Sequence, residues 1–247
     1  MRKAELYQDI YARGKADEER FAALLKSLKN DRFDTILDIG CGDGTLTMEI
    51  ARTVNARDVY GIEIAKEGVA KAKEKGIRCM QADMDVDEIP FPAQQFDFIF
   101  CGEVIEHVFD PHRLLAFITK ALKPGGKLLI TTPNLTAWHC RIYLLLGYSP
   151  HLYSVSLEHP GAGKLFRKSS AAGREHIRFF TRKGLADLLS AHGLTAQRTY
   201  GFRHLDARSR DFLPWPFSSL LPAAEQLFSI LPSFASAIAV LCENGKG

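Results

Sequence analysis

The chain has 247 residues, of which 46% are hydrophobic and 25% charged, and its formal net charge is +3. This composition is typical of one globular domain with a substantial core, and the charge is too small to indicate a nucleic-acid partner by itself. No apolar run approaches the roughly 20 residues of a membrane-spanning helix. The first residues also lack the apolar core of a signal peptide.

The five cysteines are widely separated, and none forms a C-x-x-C pair: Cys41, Cys79, Cys101, Cys140 and Cys242. An odd number at such spacing predicts reduced, mostly buried thiols rather than a disulfide framework. We therefore expect a cytoplasmic protein, and contact with a membrane surface stays open.

The first elements in chain order are two predicted helices, at residues 4–13 and 17–29. The second carries apolar side chains at helical spacing, ending at Leu28, and should pack on the domain. The first holds Tyr7 and Tyr11 one turn apart. These tyrosines could close over a ligand or simply pack on the domain.

Apolar runs then alternate with helical patterns up to residue 132. This alternation predicts an α/β fold, in which a parallel sheet is covered by helices and binds ligands at the carboxyl ends of its strands. The predicted elements are strand 35–39, helix 44–54, strand 58–63, helix 66–75, strand 77–82, strand 96–101, helix 111–122 and strand 126–132.

The regular alternation stops after residue 134. A helix is predicted at 138–146, and another begins after the N-cap Thr181 and ends at Gly193. Strands are predicted at 195–202 and 235–242. Between them, residues 212–231 are so apolar that they should line a pocket, pair with a second subunit, rest on lipid or pack on the domain.

A glycine-rich turn connects the first strand to the helix that follows it. Residues 38–44 read Asp-Ile-Gly-Cys-Gly-Asp-Gly, a pattern that lets a ligand lie against bare main chain near unpaired helical N–H groups. Glu63 closes the next strand, where nucleotide folds place a ribose-binding acid. A dinucleotide fingerprint would need glycine at position 45, which is Thr45. Asp38 would repel a pyrophosphate but suits a cationic ligand.

At these residues the chain resembles the class I S-adenosylmethionine-dependent methyltransferases, notably methyltransferase types 11 and 23 and the ubiquinone-pathway enzymes. The glycine turn, residues 96–101, 103–107 and 122–130 are similar to ordered blocks of that family. The resemblance implies a Rossmann-like seven-stranded sheet with helices on both faces and an antiparallel last strand. It also implies these contacts to S-adenosylmethionine, or to its product S-adenosylhomocysteine: Asp38, Gly40, Cys41, Gly42, Glu63, Ile64, Asp83, Met84 and Glu103.

A helix beginning at Glu103 would place Glu103, Glu106 and His107 on one face. His107 could accept a proton from a hydroxyl acceptor or hold a backbone hydrogen bond. The Glu-x-x-Glu-His pattern is similar to the divalent-cation motif of small-RNA 2′-O-methyltransferases, and His176 could complete it. Two carboxylates and two imidazoles could bind a divalent cation, although the family includes members that need none.

The function that we expect is methyl transfer to an oxygen of a small or lipid-like acceptor, with His107 and His176 on the acceptor side. Residues 30–134 would bind the cofactor, and segments 135–180 and 203–234 would form acceptor lids in a single 1–247 domain. The alternatives are a metal-assisted RNA 2′-O-methyltransferase, a cofactor-binding regulator without turnover and a nicotinamide oxidoreductase. Seven basic residues and one acid between 164 and 183 could attract RNA or an anionic acceptor.

Overall fold

The structure is a computed structural model that describes residues 25, 28–150, 152–156, 158–159, 161–165, 176–202, 223, 226–228 and 230–245. The predicted helix at 4–13, with Tyr7 and Tyr11, lies outside the described residues. Most of the predicted helix at 17–29 also lies outside them, as do residues 212–222 of the apolar stretch.

Seven strands form one sheet in the order β3-β2-β1-β4-β5-β7-β6. Neighbouring strands are parallel except that β7 runs antiparallel to both β5 and β6. The predicted seven-stranded sheet with an antiparallel last strand is therefore confirmed. The strands are β1 (Thr35–Ile39), β2 (Asp58–Glu63), β3 (Arg78–Gln81), β4 (Phe96–Gly102), β5 (Leu122–Pro133), β6 (Leu194–Phe202) and β7 (Ala237–Asn244).

Helices cover both faces of the sheet, because the strands alternate their buried side chains between two cores. One core joins Leu37 and Ile99 to the helices after β4 and before β6, and the other joins Ile36 and Phe98 to the helix after β1. The helices are α1 (Thr45–Val54), α2 (Lys66–Glu74), α3 (Pro111–Ala121), α4 (Trp138–Leu145) and α5 (Arg182–Ala191).

Two sequence-based details differ from the structure. The strand predicted at 126–132 begins earlier, because β5 starts at Leu122 and pairs with β4 through a register shift near Phe96. The predicted helix at 103–108 is only a 3₁₀ turn, Ile105–His107.

The described part of the chain contains no helix long and apolar enough to cross a membrane. All five cysteines are buried and free, as their spacing predicted. Thr181 caps α5 as predicted, because its hydroxyl oxygen accepts a hydrogen bond from the Gly184 N–H at 3.0 Å.

Candidate cofactor and acceptor site

The glycine turn leaves β1 through left-handed backbone, with a φ of 77° at Gly40. Such a conformation costs an L side chain roughly 1–2 kcal/mol. Gly40 also has no room for a side chain, because an added Cβ would lie 2.5 Å from Cγ2 of Val104. The turn therefore presents bare main chain where β1 and β4 end.

We expect Gly40→Ala to lower the free energy of unfolding by roughly 2–5 kcal/mol, the sum of left-handed strain and overpacking. Gly76→Ala is the matched control, since Gly76 has a φ of 87° but no described atom within 4 Å of an added Cβ. It should cost only about 1–2 kcal/mol. Urea denaturation measures both values, and equal losses would contradict the importance of the Val104 contact.

Asp38, near the end of β1, has a buried carboxylate that is only partly satisfied. Its Oδ2 accepts a hydrogen bond from the Thr47 hydroxyl at 2.5 Å, whereas no described residue hydrogen bonds to its Oδ1. Burial raises the pKa of Asp38 to about 7, although the bond from Thr47 lowers it in part. A buried acceptor of this kind fits the ammonium group of an amino-acid ligand. Thr47 was not predicted, and no sequence pattern points to it.

Glu63, the last residue of β2, holds the glycine turn in position. Its Oε2 accepts a hydrogen bond from the Gly42 N–H at 2.9 Å, and its Oε1 accepts one from the Ala65 N–H at 2.8 Å. Burial raises the pKa of Glu63, while these two bonds act in the opposite direction. Next to it, the Ile64 carbonyl accepts from the Gln81 amide at 3.0 Å. The ribose contacts of Glu63 and Ile64 stay predictions.

The loop after β3 places the predicted adenine-side residues. Asp83 accepts a hydrogen bond from the Asp85 N–H at 3.0 Å, and Met84 is buried in the core. Asp85, which sequence reasoning missed, accepts from the Phe109 N–H at 2.8 Å. It therefore ties this loop to the segment after the 3₁₀ turn. The alternate acids Asp83, Asp85 and Asp87 were the only sequence signal for this connection.

Glu103 does not share a helical face with Glu106 and His107, so that prediction is wrong. Its φ of 55° interrupts the helical path. Its Oε1 accepts a hydrogen bond from the Thr131 hydroxyl at 2.8 Å, which directs the side chain towards β5. Contact between Glu103 and the cofactor stays a prediction.

Glu106, His107 and His176 come together beyond the ends of β4 and β5. One potential ligand atom from each lies within 4.8 Å of the other two, and the two imidazole centroids are 4.8 Å apart. The Glu106 carbonyl accepts hydrogen bonds from the Ile177 and Arg178 N–H groups at 2.9 and 3.0 Å. The segment that carries His176 is thus fastened to the 3₁₀ turn that carries His107.

The electrostatics of this cluster distinguish its members. Glu106 is 1% exposed; its Oε2 accepts from the Thr132 hydroxyl at 3.0 Å, and its Oε1 lies 3.8 Å from His107 Nε2. Burial lowers the pKa of His176 to about 4, and the charge of buried Lys164 also lowers it. His176 is therefore neutral near pH 7 and can coordinate a cation or accept a hydrogen bond.

The chemistry of these donors fits a divalent cation. Carboxylate and neutral imidazole groups are common ligands of zinc, manganese and iron, and a neutral His176 loses no proton on binding a metal. A cation held by Glu106, His107 and His176 would act as a Lewis acid towards an acceptor oxygen. The structure groups these three residues rather than the four that the sequence suggested.

An apolar cavity of about 370 Å³ lies beside the segment that carries His176. Its walls include two stacked aromatic rings, Tyr153 and Phe179, with centroids 3.9 Å apart. The Leu135 N–H donates to the Phe180 carbonyl at 2.8 Å. This bond joins Leu135, which lines the cavity, to the segment that carries Phe179. Lipid-like molecules suit such a lining. The other lining residues include Leu144, Tyr148, Pro150 and Val155.

Comparison with known proteins agrees with this geometry. The sequence model of a family described as a methyltransferase domain matches residues 11–199. The chain is 31% identical over 174 residues to the ubiquinone biosynthesis O-methyltransferase of Aeromonas salmonicida, covering 68% of this chain and 66% of that protein. It is 35% identical over 103 residues to the same-named protein of Coxiella burnetii, covering 40% and 43%. The chain thus spans about two thirds or less of these relatives.

The fold is similar to that of an S-adenosylmethionine-dependent methyltransferase from Mesorhizobium loti. The TM-score is 0.61 at 19% identity, over 92% of this chain and 99% of that one. Such low identity speaks for the fold alone, whereas the family match covers most of the sequence. The chain therefore belongs to the methyltransferase-domain family and has the class I fold of S-adenosylmethionine-dependent methyltransferases.

Proposed function

We propose that the protein transfers the sulfonium methyl group of S-adenosylmethionine to an oxygen of a small, lipid-like acceptor. The observation that carries this proposal is the cluster of Glu106, His107 and His176, together with an apolar cavity that is lined by Phe179 of the segment that carries His176. The similarity to ubiquinone biosynthesis O-methyltransferases supports an oxygen acceptor.

When bound, S-adenosylmethionine supplies an electrophilic methyl group. Asp38 receives the ammonium group, and the glycine turn seats the amino-acid portion. His107 would hold the acceptor's hydroxyl group and take its proton. Correct positioning can supply about 7–11 kcal/mol, more than the roughly 10²–10⁴-fold acceleration expected from a general base. Orientation of the two reactants is therefore the main contribution of the protein.

Exposed apolar side chains near the cavity support a lipid-like acceptor. Leu144 lines the cavity and is 52% exposed, and the adjacent Leu145 is 87% exposed. We infer peripheral contact with the lipid surface that presents the acceptor, because such neighbouring apolar side chains favour an apolar environment. The acceptor should therefore be offered both in detergent micelles and in vesicles.

The test is methyl transfer from labelled S-adenosylmethionine to alkyl catechols of increasing chain length. We expect methyl ethers as products, with KM falling about three- to fourfold per added methylene until the cavity is full, since each buried methylene contributes about 0.8 kcal/mol. Cofactor binding without transfer to any acceptor would instead identify a regulator. Methylation at nitrogen or carbon would also contradict the proposal.

An RNA acceptor receives less support from the basic segment 164–183. Lys164 is buried, Arg182 donates to the Ser233 hydroxyl at 3.0 Å and Lys183 pairs with Asp187 at 2.9 Å. Arg182 and Lys183 are exposed but are engaged by neighbouring side chains of the protein, and residues 166–175 lie outside the described part. RNA binding that weakens steeply with salt, together with 2′-O-methylation, would favour this alternative.

We expect Phe179→Ala to raise KM for a long-chain acceptor about tenfold, equivalent to 1.4 kcal/mol, with little change in kcat. The substitution removes the ring stacked on Tyr153 but leaves the histidine cluster in place. Phe109→Ala is the matched control, because Phe109 is 65% exposed and does not line the cavity. Steady-state kinetics compares the two variants, and an equal KM change in both would exclude this cavity as the acceptor site.

A further inference from the structure

Cys41 and Cys79 place two thiols side by side against the cofactor turn. Cys41 belongs to the glycine turn and Cys79 to β3, and their sulfur atoms are 3.5 Å apart. Both side chains are buried and reduced. Neither residue is needed for the proposed chemistry through its sulfur, so the contact calls for its own explanation.

The space for this contact is provided by Gly61 on β2. Gly61 pairs with Cys79 in the parallel sheet, and the glycine turn passes over it. An added Cβ on Gly61 would lie 2.7 Å from Cys41 Sγ and 3.3 Å from Cys41 Cβ. The missing side chain therefore lets the Cys41 thiol reach Cys79. A single buried cysteine packs as a small apolar residue, whereas a second thiol at contact distance adds redox chemistry.

We propose that Cys41 and Cys79 are a redox-reactive pair, which peroxide converts to a disulfide that closes the cofactor site. A disulfide bond is about 2.0 Å long, so the sulfurs must approach each other by roughly 1.5 Å. Cys79 is held in β3 by pairing with β2, so the approach strains the glycine turn and the hydrogen bond from the Cys41 N–H to the Ile62 carbonyl, now 3.1 Å. The hydrogen bond from the Gly42 N–H to Glu63, now 2.9 Å, adjoins Cys41 and would be displaced. Oxidation thus distorts the main chain that seats the cofactor.

The two thiols differ in the way that such chemistry requires. The contact with the Cys41 thiol, in which either sulfur can donate, lowers the pKa of Cys79, although burial opposes this effect. The same contact and burial raise the pKa of Cys41. Cys79 is therefore the more readily ionised sulfur and the expected first nucleophile.

The reaction consumes one hydrogen peroxide. The Cys79 thiolate attacks one peroxide oxygen, the O–O bond breaks, and hydroxide leaves to give a sulfenic acid. Hydroxide takes the Cys41 proton, the Cys41 sulfur attacks the Cys79 sulfur, and a second hydroxide leaves as the S–O bond breaks. That hydroxide takes up the proton that Cys79 released on ionising. Overall, two thiols lose two electrons and two protons, and one peroxide is reduced to two waters.

The experiment treats the full chain with hydrogen peroxide and then with dithiothreitol. We expect the loss of two hydrogen atoms by intact mass, a Cys41–Cys79 cross-link by peptide mapping, and an affinity for S-adenosylhomocysteine at least about tenfold lower by calorimetry. Dithiothreitol should restore both mass and affinity. Peptide mapping of the unsubstituted protein decides whether the bond forms, independently of any variant.

Cys79→Ser should bind S-adenosylhomocysteine normally and lose the response to peroxide. If serine prevents folding, Cys79→Ala serves the same purpose. Cys242→Ser is the matched control, since Cys242 is buried in β7, and it should keep the full response. Oxidation of other cysteines without this cross-link, or a cross-link that leaves affinity unchanged, would overturn the proposal.

Discussion

We expect Asp38→Asn to stabilise the ligand-free protein at pH 8. The pKa of Asp38 is raised from 3.8 to about 7 in the folded protein, so the folded state binds this proton more tightly than the unfolded state. The resulting stability is fully present below about pH 4 and is lost as the pH rises to about 7. A shift of about three units corresponds to at most about 4 kcal/mol. Asparagine is neutral and can still accept the bond from Thr47.

Urea denaturation should therefore give Asp38→Asn a free energy of unfolding about 1–4 kcal/mol higher at pH 8 and no gain at pH 4. Asp43→Asn is the matched control in the same turn. Burial would raise the pKa of Asp43, but hydrogen bonds from Lys75 and Thr45 lower it overall. Its neutralisation should thus destabilise the protein at pH 8. Equal stabilisation by both substitutions would refute the raised pKa of Asp38 in the folded protein.

The same Asp38→Asn substitution should weaken binding of S-adenosylhomocysteine by roughly 10–100-fold, equivalent to about 1.4–2.8 kcal/mol. The lost interaction is that between the carboxylate and the ligand's ammonium group. In the unsubstituted protein, affinity should fall by up to about tenfold per pH unit below pH 7, because binding must expel the proton from Asp38. Calorimetry across pH 5–8 should show this slope disappear in Asp38→Asn. A slope that persists would assign the pH dependence to another group.

The second large effect that we expect is a loss of kcat of at least about 100-fold in His107→Ala, the usual contribution of a general base. Affinity for S-adenosylhomocysteine should stay within about twofold, since His107 is assigned to the acceptor side. His112→Ala is the matched control, because His112 lies at the start of α3 and its Nδ1 is 2.9 Å from His192 Nε2. Retention of full kcat in His107→Ala would exclude His107 as the general base.

Chelation separates the two roles considered for the cluster. If Glu106, His107 and His176 hold a required cation, a chelator should abolish activity, and Mn²⁺ or Zn²⁺ should restore it. If His107 acts as a base alone, chelation should leave kcat unchanged. His107→Ala impairs methyl transfer in both cases.

Local chemistry made much of the fold predictable. The buried strands β1 and β2 begin and end at the predicted residues, because apolar β-branched runs bounded by polar residues specify such strands. The 3₁₀ turn shows where this reasoning fails. The polar residues of segment 103–107 have helical spacing, yet Glu103 adopts a positive φ. Its side chain bonds to Thr131 on the neighbouring strand, a partner that no local pattern reveals.

Local patterns along the chain were enough to predict the glycine turn, its flanking acids and the succession of strands and helices, since these depend on backbone conformation and periodicity within short segments. The three-dimensional fold was needed to establish that His176 lies beside Glu106 and His107, that Asp38 is buried with a raised pKa and that Cys41 contacts Cys79. Those properties depend on residues far apart in the chain and on the exclusion of water between them. Packing, rather than local conformational preference, brings these distant residues together and excludes water between them.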